Sequence, residues 1–462
     1  MVRVAKGVTL VVGLGVSGRA ICRHLSRMNV PYMVADTRAE PPGLKAFQAA
    51  HPGVEVHCGP LTLLDLQDVA EVVVSPGLDP RMPGLKGLAD QLNPRTGEPM
   101  VVGEIALFVR AANAPIAAIT GSNAKSTVTT LLGDMATAAG IKAAVGGNLG
   151  TPALDLLESH PDAALYILEL SSFQLETTPS LGASCAAFLN LSEDHLDRHG
   201  DMHGYRAAKQ RIFIGAENAV VNADEPLTWP TYPVGQVAYF SQCAPQGSEW
   251  GLALHHNQLT LMQGCDPWIA INALKIAGQH NYLNALAALA MGQALGLAAE
   301  PMCNALSAFK GLEHRSEVVA KINGVTWIND TKGTNVGATL AAINGIGASL
   351  EGRLILLAGG VGKGADFSPL ATPLSACARH VLLFGLDAPR LADALLEHVS
   401  IRQVEDLTQA MEAAFELAQP GDCVLLSPAC ASLDQFANYQ QRGEVFRHWV
   451  QQQAASTGQG AL

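Results

Sequence analysis

The sequence predicts an α/β protein of about three domains, each built on a mostly parallel sheet. Three observations lead there. Short β-branched runs alternate with helical patterns from end to end, the pattern of strand–helix–strand units. Apolar residues fill 48% of the 462 positions and charged residues only 15%, which suits large cores and argues against disorder. At roughly 150 residues per domain, the length divides into about three.

The elements follow in chain order. Val8–Val12, Tyr32–Ala35 and Glu71–Val74 read as the first three strands. A Pro/Gly-rich zone from Pro76 to Pro99 ends or interrupts the first domain, with a boundary near Gly103. Pro115–Thr120, Leu165–Leu170, Ala186–Leu191 and Ala219–Asn222 form a second strand series. Tyr239–Ala270 has little helical period and reads as short antiparallel strands, and a helix runs from Asn281 to about Leu295. A third series holds Thr326–Asn329, Leu354–Leu357, His380–Phe384 and Cys423–Leu426, with helices such as Leu407–Ala418 between them. The Gln/Ser/Gly-rich tail from Gln451 to Leu462 reads as frayed.

Composition narrows the function. With 41 acidic and 29 basic residues the net charge is −12, which argues against a broad nucleic-acid surface but not against a local phosphate site. The 9 cysteines are scattered and form no C-x-x-C pair, as expected of reduced thiols in a cytoplasmic protein. The apolar run near the N-terminus is broken by Gly13, Gly15 and Gly18, so no signal peptide is expected, and no uncharged stretch is long enough for a membrane helix.

Four groups of residues carry chemistry. Gly13-Leu-Gly15-Val-Ser-Gly18 lies between a strand and a helix, and Asp36 ends the next strand. Glycines there permit a tight turn and let phosphate approach a helix N-terminus, while the carboxylate can accept from a ribose or base. On its own this fingerprint fits a nicotinamide dehydrogenase as well as any other nucleotide enzyme. Thr120-Gly-Ser-Asn-Ala-Lys125-Ser126-Thr127 is a second strand–helix turn. Its backbone N–H groups can cradle phosphates, Lys125 can reach the β/γ-phosphates and Ser126 can ligate Mg²⁺. Ala124 stands where the pattern has Gly, which is tolerable only if φ is negative there. An N-capped helix with an exposed lysine is the plainer reading of the same spacing.

Third, Glu169 closes an apolar strand downstream of that turn, placed to meet Mg²⁺ directly or through water. His195 sits in the acidic stretch Asn190-Leu-Ser-Glu-Asp-His195-Leu-Asp, which suits metal or phosphate work or a solvated turn. Lys209 by itself is an ordinary helical lysine. Fourth, Asp330-Thr-Lys332-Gly-Thr334 ends a strand, Gly359-Gly-Val-Gly-Lys363 is another Gly-rich turn with a lysine, and Ser432 can cap a helix aimed at a carboxylate or at nothing.

These groups in this order resemble the Mur ligases from Val8 to about Gly443, reinforced by Ser75-Pro-Gly77 and Ala431-Ser-Leu-Asp-Gln-Phe436. The resemblance implies an N-terminal Rossmann-like domain (1–103) for a UDP substrate, a central P-loop ATPase (104–313) and a C-terminal Rossmann-like domain (314–462) for an amino acid. Within the family the likeness is greatest to enzymes that add D-glutamate to UDP-N-acetylmuramoyl-L-alanine, using ATP and Mg²⁺, through an acyl phosphate. Another Mur-type or a folylpolyglutamate-type ligase is the nearer alternative and a nicotinamide-dependent dehydrogenase the more distant one.

Family roles carry over by position. The UDP substrate would meet Gly15, Val16, Ser17, Asp36, Thr37, Arg38, Ser75, Pro76, Gly77 and Asn148. ATP would meet Gly121, Ser122, Asn123, Ala124, Lys125, Ser126, Thr127, Asn281, Asn284, Arg315 and Asp330. Mg²⁺ would meet Ser126 and Glu169 at one site, and His195 and Lys209, as a carbamate, at another. D-glutamate would meet Lys332, Thr334, Lys363, Ser432, Leu433 and Tyr439. Lys125, Glu169, His195 and Lys209 would carry the chemistry, in a cytoplasmic monomer without nucleic-acid partners or membrane insertion.

Overall fold

The computed structural model describes residues 2–276, 278–347 and 350–457. Contacts divide the chain into two compact units: Met1–Asn190, Arg206–Ala270 and Ala285–Leu306 form one, and Leu191–Tyr205, Ile271–Asn284 and Ser307–Leu462 the other.

The first unit holds two large sheets. One has five parallel strands in the order Val56–Cys58, Tyr32–Asp36, Thr9–Val12, Glu71–Val74, Val101–Gly103. Thr9–Val12 is central because the chain first builds outward to one side and then to the other. Order therefore reverses at its C-terminal end, the place where open α/β sheets form a crevice. The Pro/Gly-rich zone interrupts this domain rather than ending it, since Val101–Gly103 returns to pair with Glu71–Val74.

The second sheet has nine strands, in the order Asp266–Ala270, Gln258–Gln263, Trp250–His255, Gln236–Phe240, Asn218–Asn222, Cys185–Phe188, Ile116–Thr120, Leu165–Glu169, Ala143–Gly147. Only the pairings among the first three strands are antiparallel, which matches the irregular pattern of Tyr239–Ala270. The reversal point here is Ile116–Thr120, which is buried throughout.

The second unit contains a six-stranded sheet, in the order Glu317–Ile322, Val325–Asn329, Cys423–Leu426, Leu354–Gly359, Ala378–Phe384, Ile401–Gln403. The first pairing is antiparallel and the rest are parallel. Its strands bury both faces. Leu354, Leu356, Val381, Leu383 and Leu425 fill one side, and Ile355, Leu357, Leu382, Val424 and Leu426 the other.

The tail differs from expectation. Tyr439–Ser456 is one helix that buries Phe446, Val450 and Ala454, so apolar residues spaced at helical intervals outweigh the polar composition around them. Residues 458–462 of the expected frayed segment lie outside the described residues. No described helix is long and apolar enough to cross a membrane. All nine cysteines are free.

Candidate active site

The Gly13–Gly18 turn follows the central strand of the five-stranded sheet and opens the helix Val16–Arg27. Gly18 is required by packing: a Cβ there would lie 1.7 Å from the Gly13 carbonyl oxygen. Asp36 does local work. Its Oδ2 accepts from the Leu14 N–H at 2.8 Å and from the Arg38 guanidinium at 2.7 Å, and its Oδ1 accepts from the Arg38 backbone and Nε. Burial alone would raise its pKa, but these donors outweigh burial and hold the carboxyl below its ordinary range. Gly15, Val16, Ser17, Asp36, Thr37, Arg38, Ser75, Pro76, Gly77 and Asn148 all line one cavity of about 530 Å³.

At the reversal point of the nine-stranded sheet, residues 121–124 connect Ile116–Thr120 to the helix Lys125–Ala138. The expected negative φ at Ala124 is not found: its φ is +67°, in the left-handed region. Its neighbours are held from outside the loop. Asn190 Oδ1 accepts from the Asn123 N–H at 2.8 Å, Asn190 Nδ2 donates to the Asn123 carbonyl at 3.2 Å, and the Asn190 carbonyl accepts from the Ser122 N–H at 3.0 Å. The two residues before Ala124 are thus pinned to Asn190, and the chain enters the helix Lys125–Ala138 through the left-handed conformation of Ala124.

Two lysines converge on this turn. Lys125 Nζ donates to the carbonyls of Gly121 and Ser122 at 2.8 and 2.9 Å. Lys209, on the helix Met202–Gln210 and 1% exposed, donates to the same Gly121 carbonyl at 2.7 Å. Ser126 and Thr127 are buried. Glu169, 3% exposed, ends its strand as expected, and its Oε1 accepts from Asn148 Nδ2 at 2.7 Å. A buried carboxylate, a hydroxyl and two ammonium groups thus stand at the sheet's C-terminal edge, beside the start of a helix. That arrangement can hold a polyphosphate with a divalent cation.

The second unit carries the other cluster. Asp194 is at its centre: Oδ1 accepts from Lys363 Nζ at 2.8 Å, Oδ2 accepts from Asn335 Nδ2 at 3.3 Å, and His195 Nε2 lies 3.6 Å from Oδ2. Burial pushes the Asp194 carboxyl up, but Lys363, His195 and Asn335 together hold it below the ordinary range. Thr334 and His195 line the same cleft as Lys363. His195 and Lys363 both have positive φ, 54° and 52°, so each is held by its turn in an uncommon conformation. Lys332 Nζ sits 4.0 Å from the Tyr439 ring centroid, a cation–π contact.

Asp330 is buried, with Oδ1 accepting from the Ser316 N–H and Oδ2 from Ser427 Oγ, and burial pushes its pKa up to about 6. The positive charge of Arg315 acts on the same carboxyl. Asn281 and Asn284 lie one turn apart on the helix Gln279–Ala294, with Asn284 Nδ2 3.4 Å from Asn281 Oδ1.

Ser432 does not cap a helix. It is buried and its carbonyl accepts from the Gln435 and Phe436 N–H groups, which makes turns. The next helix begins only at Tyr439, where Asn438 accepts from the Gln441 N–H at 2.8 Å. Asn438 was the available signal, a capping residue three positions before Gln441. Leu433 is 71% exposed.

Three residues central to these clusters escaped the reading of the sequence. Asp194 was visible only as part of an acidic stretch. Asn190 and Asn335 had no local signal, since their partners are 67 and 141 residues away.

Known proteins match most of the chain. The Mur ligase MurD-like N-terminal domain matches residues 7–94, the Mur ligase middle domain 119–292, and the Mur ligase glutamate ligase domain 314–430. The UDP-N-acetylmuramoylalanine–D-glutamate ligase of Chromohalobacter salexigens is 63% identical over 450 residues, 97% of this chain and 98% of that protein. The protein of the same name from Pseudomonas aeruginosa is 50% identical over 449 residues, covering 96% and 98%. Among solved structures, the MurF ligase from Thermotoga maritima in complex with ADP superposes with a TM-score of 0.60 at 15% identity, covering 98% of this chain and 96% of that one, which speaks to fold alone.

Proposed function

The chain belongs to the Mur ligase family, and from that premise we infer that it is an ATP-dependent ligase joining D-glutamate to UDP-N-acetylmuramoyl-L-alanine in peptidoglycan synthesis. The observation that carries the reading is 63% identity over 97% of the chain to a ligase of that specificity. We divide the work at residues 1–103 for the UDP substrate, 104–313 for ATP and 314–462 for D-glutamate, a division that the three large sheets support.

The chemistry runs in two steps. The alanyl carboxylate oxygen attacks the γ-phosphorus of ATP, ADP leaves, and an acyl phosphate forms. The amine of D-glutamate then attacks the acyl carbon, inorganic phosphate leaves, and the amine gives up a proton. The first step brings two anions together, so it needs positive charge and positioning more than covalent help. Lys125 would supply charge: its ammonium, donating to the Gly121 and Ser122 carbonyls, stands at the turn where the β/γ-phosphates would lie. Asn190 fixes the backbone of the turn by accepting from the Ser122 and Asn123 N–H groups, which leaves the N–H groups at the start of the helix Lys125–Ala138 to face ATP.

Ser126 and Glu169 offer hard oxygen donors of the kind Mg²⁺ prefers, and Mg²⁺ commonly takes few protein ligands and completes its shell with phosphate and water. Bound there, it would neutralise charge on the transferring phosphoryl group. The Asn148 amide fixes the rotamer of the Glu169 carboxylate for that role.

We assign Lys209 a carbamate, the form that turns a cation into an oxygen ligand. A carbamate keeps one N–H, so it can retain the Gly121 contact while offering two oxygens. His195 would be its companion ligand. ¹³C-bicarbonate NMR should show a carbamate signal in the wild type that is absent from Lys209→Arg. A spectrum without it would remove this assignment.

Lys363, Thr334 and Ser432 supply a point charge and two hydroxyls suited to the D-glutamate carboxylates, with Lys332, Leu433 and Tyr439 alongside. Asn281, Asn284, Arg315 and Asp330 complete the ATP set. The soluble substrates suit a cytoplasmic protein, and nothing in the scheme calls for a second copy of the chain. The test is phosphate release with UDP-N-acetylmuramoyl-L-alanine, ATP and a panel of amino acids. D-glutamate should be the preferred acceptor, and efficient coupling of D-alanine or L-lysine instead would overturn the reading.

A further inference from the structure

Glu104 is a buried carboxyl that none of the chemistry above uses. It opens the helix Glu104–Ala111 and is 1% exposed. Its Oε1 accepts from the Leu154 N–H at 3.2 Å, in the first turn of the helix Ala153–Ser159. That helix has no cap of its own, because Pro152 precedes it and offers no side-chain acceptor. Glu104 supplies the acceptor from 50 residues away.

The same carboxyl faces the Ser17 side chain in the first turn of the helix Val16–Arg27. Ser17 and Pro152 both line the 530 Å³ cavity. Glu104 therefore stands behind the cavity wall and touches two of the segments that form it.

Its protonation is poised. Oε2 is buried and makes no well-formed hydrogen bond among the described residues. That is costly for a carboxylate oxygen, whereas a carboxylic acid can donate its O–H to an oxygen such as Ser17 Oγ. Burial pushes the group up to about 7, against the helix N–H groups and Ser17, which favour the anion. The surrounding charges are mostly engaged with one another. Asp155, on the helix that Glu104 caps, disfavours a second anion and is held by Arg23. Nearby on the same two helices, Glu158 pairs with Arg27, and His24 is buried. Glu176 on the helix Ser172–Glu176 pairs with Arg81, and Arg110 on Glu104's own helix pairs with Glu71 and Glu98.

We propose that Glu104 is a positioning residue that takes up a proton when the UDP substrate binds, so that Ser17 can donate to the diphosphate. With Glu104 ionised, the negative carboxylate competes with the ligand for the Ser17 O–H, the interaction that favours the anion. With Glu104 protonated, the carboxyl O–H donates to Ser17 Oγ and the Ser17 O–H is released toward the ligand. The proton comes from solvent and no covalent bond of the substrate changes. The proposal rests on the reading of this cavity as the UDP-substrate site.

The experiment is calorimetric titration of the full chain with UDP-N-acetylmuramoyl-L-alanine, without ATP, in buffers of different ionisation enthalpy at pH 6 and pH 8. Binding should take up more than half a proton at pH 8, where the free carboxyl is mostly ionised, and clearly less at pH 6, and should weaken several-fold between them. Glu104→Gln imitates the protonated group, so it should bind with no uptake and with nearly equal affinity at both pH values. Proton-neutral binding by the wild type at pH 8 overturns the proposal, even if the variant does not fold. So does a Glu104→Gln protein that takes up as many protons as the wild type. If the substrate does not bind the wild type at all, the cavity reading itself fails, an outcome distinct from proton-neutral binding.

Discussion

Replacing Ala124 with glycine should stabilise the protein, and the amount can be worked from the backbone. Ala124 has φ +67° and ψ −11° at the start of the phosphate-loop helix. An L-residue with a Cβ costs about 1–2 kcal/mol in that region, where glycine costs almost nothing. Glycine gives back about 0.5–1 kcal/mol through greater freedom of the unfolded chain. The net gain is about 0.5–1 kcal/mol, since Asn190 holds the loop in place whatever residue sits there. In a chain of 462 residues this is a small change in melting temperature, on the order of 0.5–1 °C. Urea titration, followed by the unfolding of the unit that carries the loop, resolves it better than a thermal scan. Ala124→Val is the counter-variant: a β-branched residue at positive φ should lose about 2 kcal/mol or more. ATP affinity should hold or improve with glycine. Destabilisation by Ala124→Gly, or an Ala124→Val protein as stable as the wild type, would refute the argument that strain is stored at this bend.

Three further outcomes are expected. Lys125→Ala should lower turnover on the order of 10³-fold in a phosphate-release assay, with a much smaller effect on the melting curve, because the lysine's bonds to the Gly121 and Ser122 carbonyls lie within the turn itself. Asn190→Ala removes both side-chain bonds to Asn123 and should raise the KM for ATP while costing about 1–3 kcal/mol of stability, read by urea titration. Asp330 titrates near pH 6 when folded, above its ordinary value of 3.8, so its contribution is intact below about pH 4 and is lost as pH rises through 6. Compared with Asp330→Asn, the wild type should therefore lose on the order of 3 kcal/mol between pH 4 and pH 8, and a pH-independent difference between the two would rule out that burial effect.

The strands show where sequence reading succeeds. Val72–Val74, Leu354–Leu357 and Cys423–Leu426 are apolar runs buried on both faces, and such runs declare themselves. Ala143–Gly147 does not, because its alanines and glycines have little β-propensity, and it becomes a strand by pairing along Leu165–Glu169. Val56–Cys58 and Ile401–Gln403 are three-residue edge strands, also defined by their neighbours. Glu317–Ile322 is an antiparallel addition with a bulge, and it too had no run long enough to stand out.

The candidate site divides along the same line. The phosphate turn, the Gly13–Gly18 fingerprint and the strand-end carboxylate Glu169 are written in contiguous residues, because a strand, a turn and a helix N-terminus are local structures. Sequence alone therefore determined where the two Gly-rich strand–turn–helix crossings lie, which kind of sheet holds them, and which lysine opens the helix after the second turn. Only tertiary structure decided the rest. Asn190 holds Asn123, beside Ala124, from 67 residues away, Lys363 helps keep the Asp194 carboxyl low from 169 residues away, and Lys209 donates to Gly121 88 residues earlier. Each depends on polar groups meeting distant partners, and hydrogen bonds select partners by position in space, which the order of residues along the chain does not record.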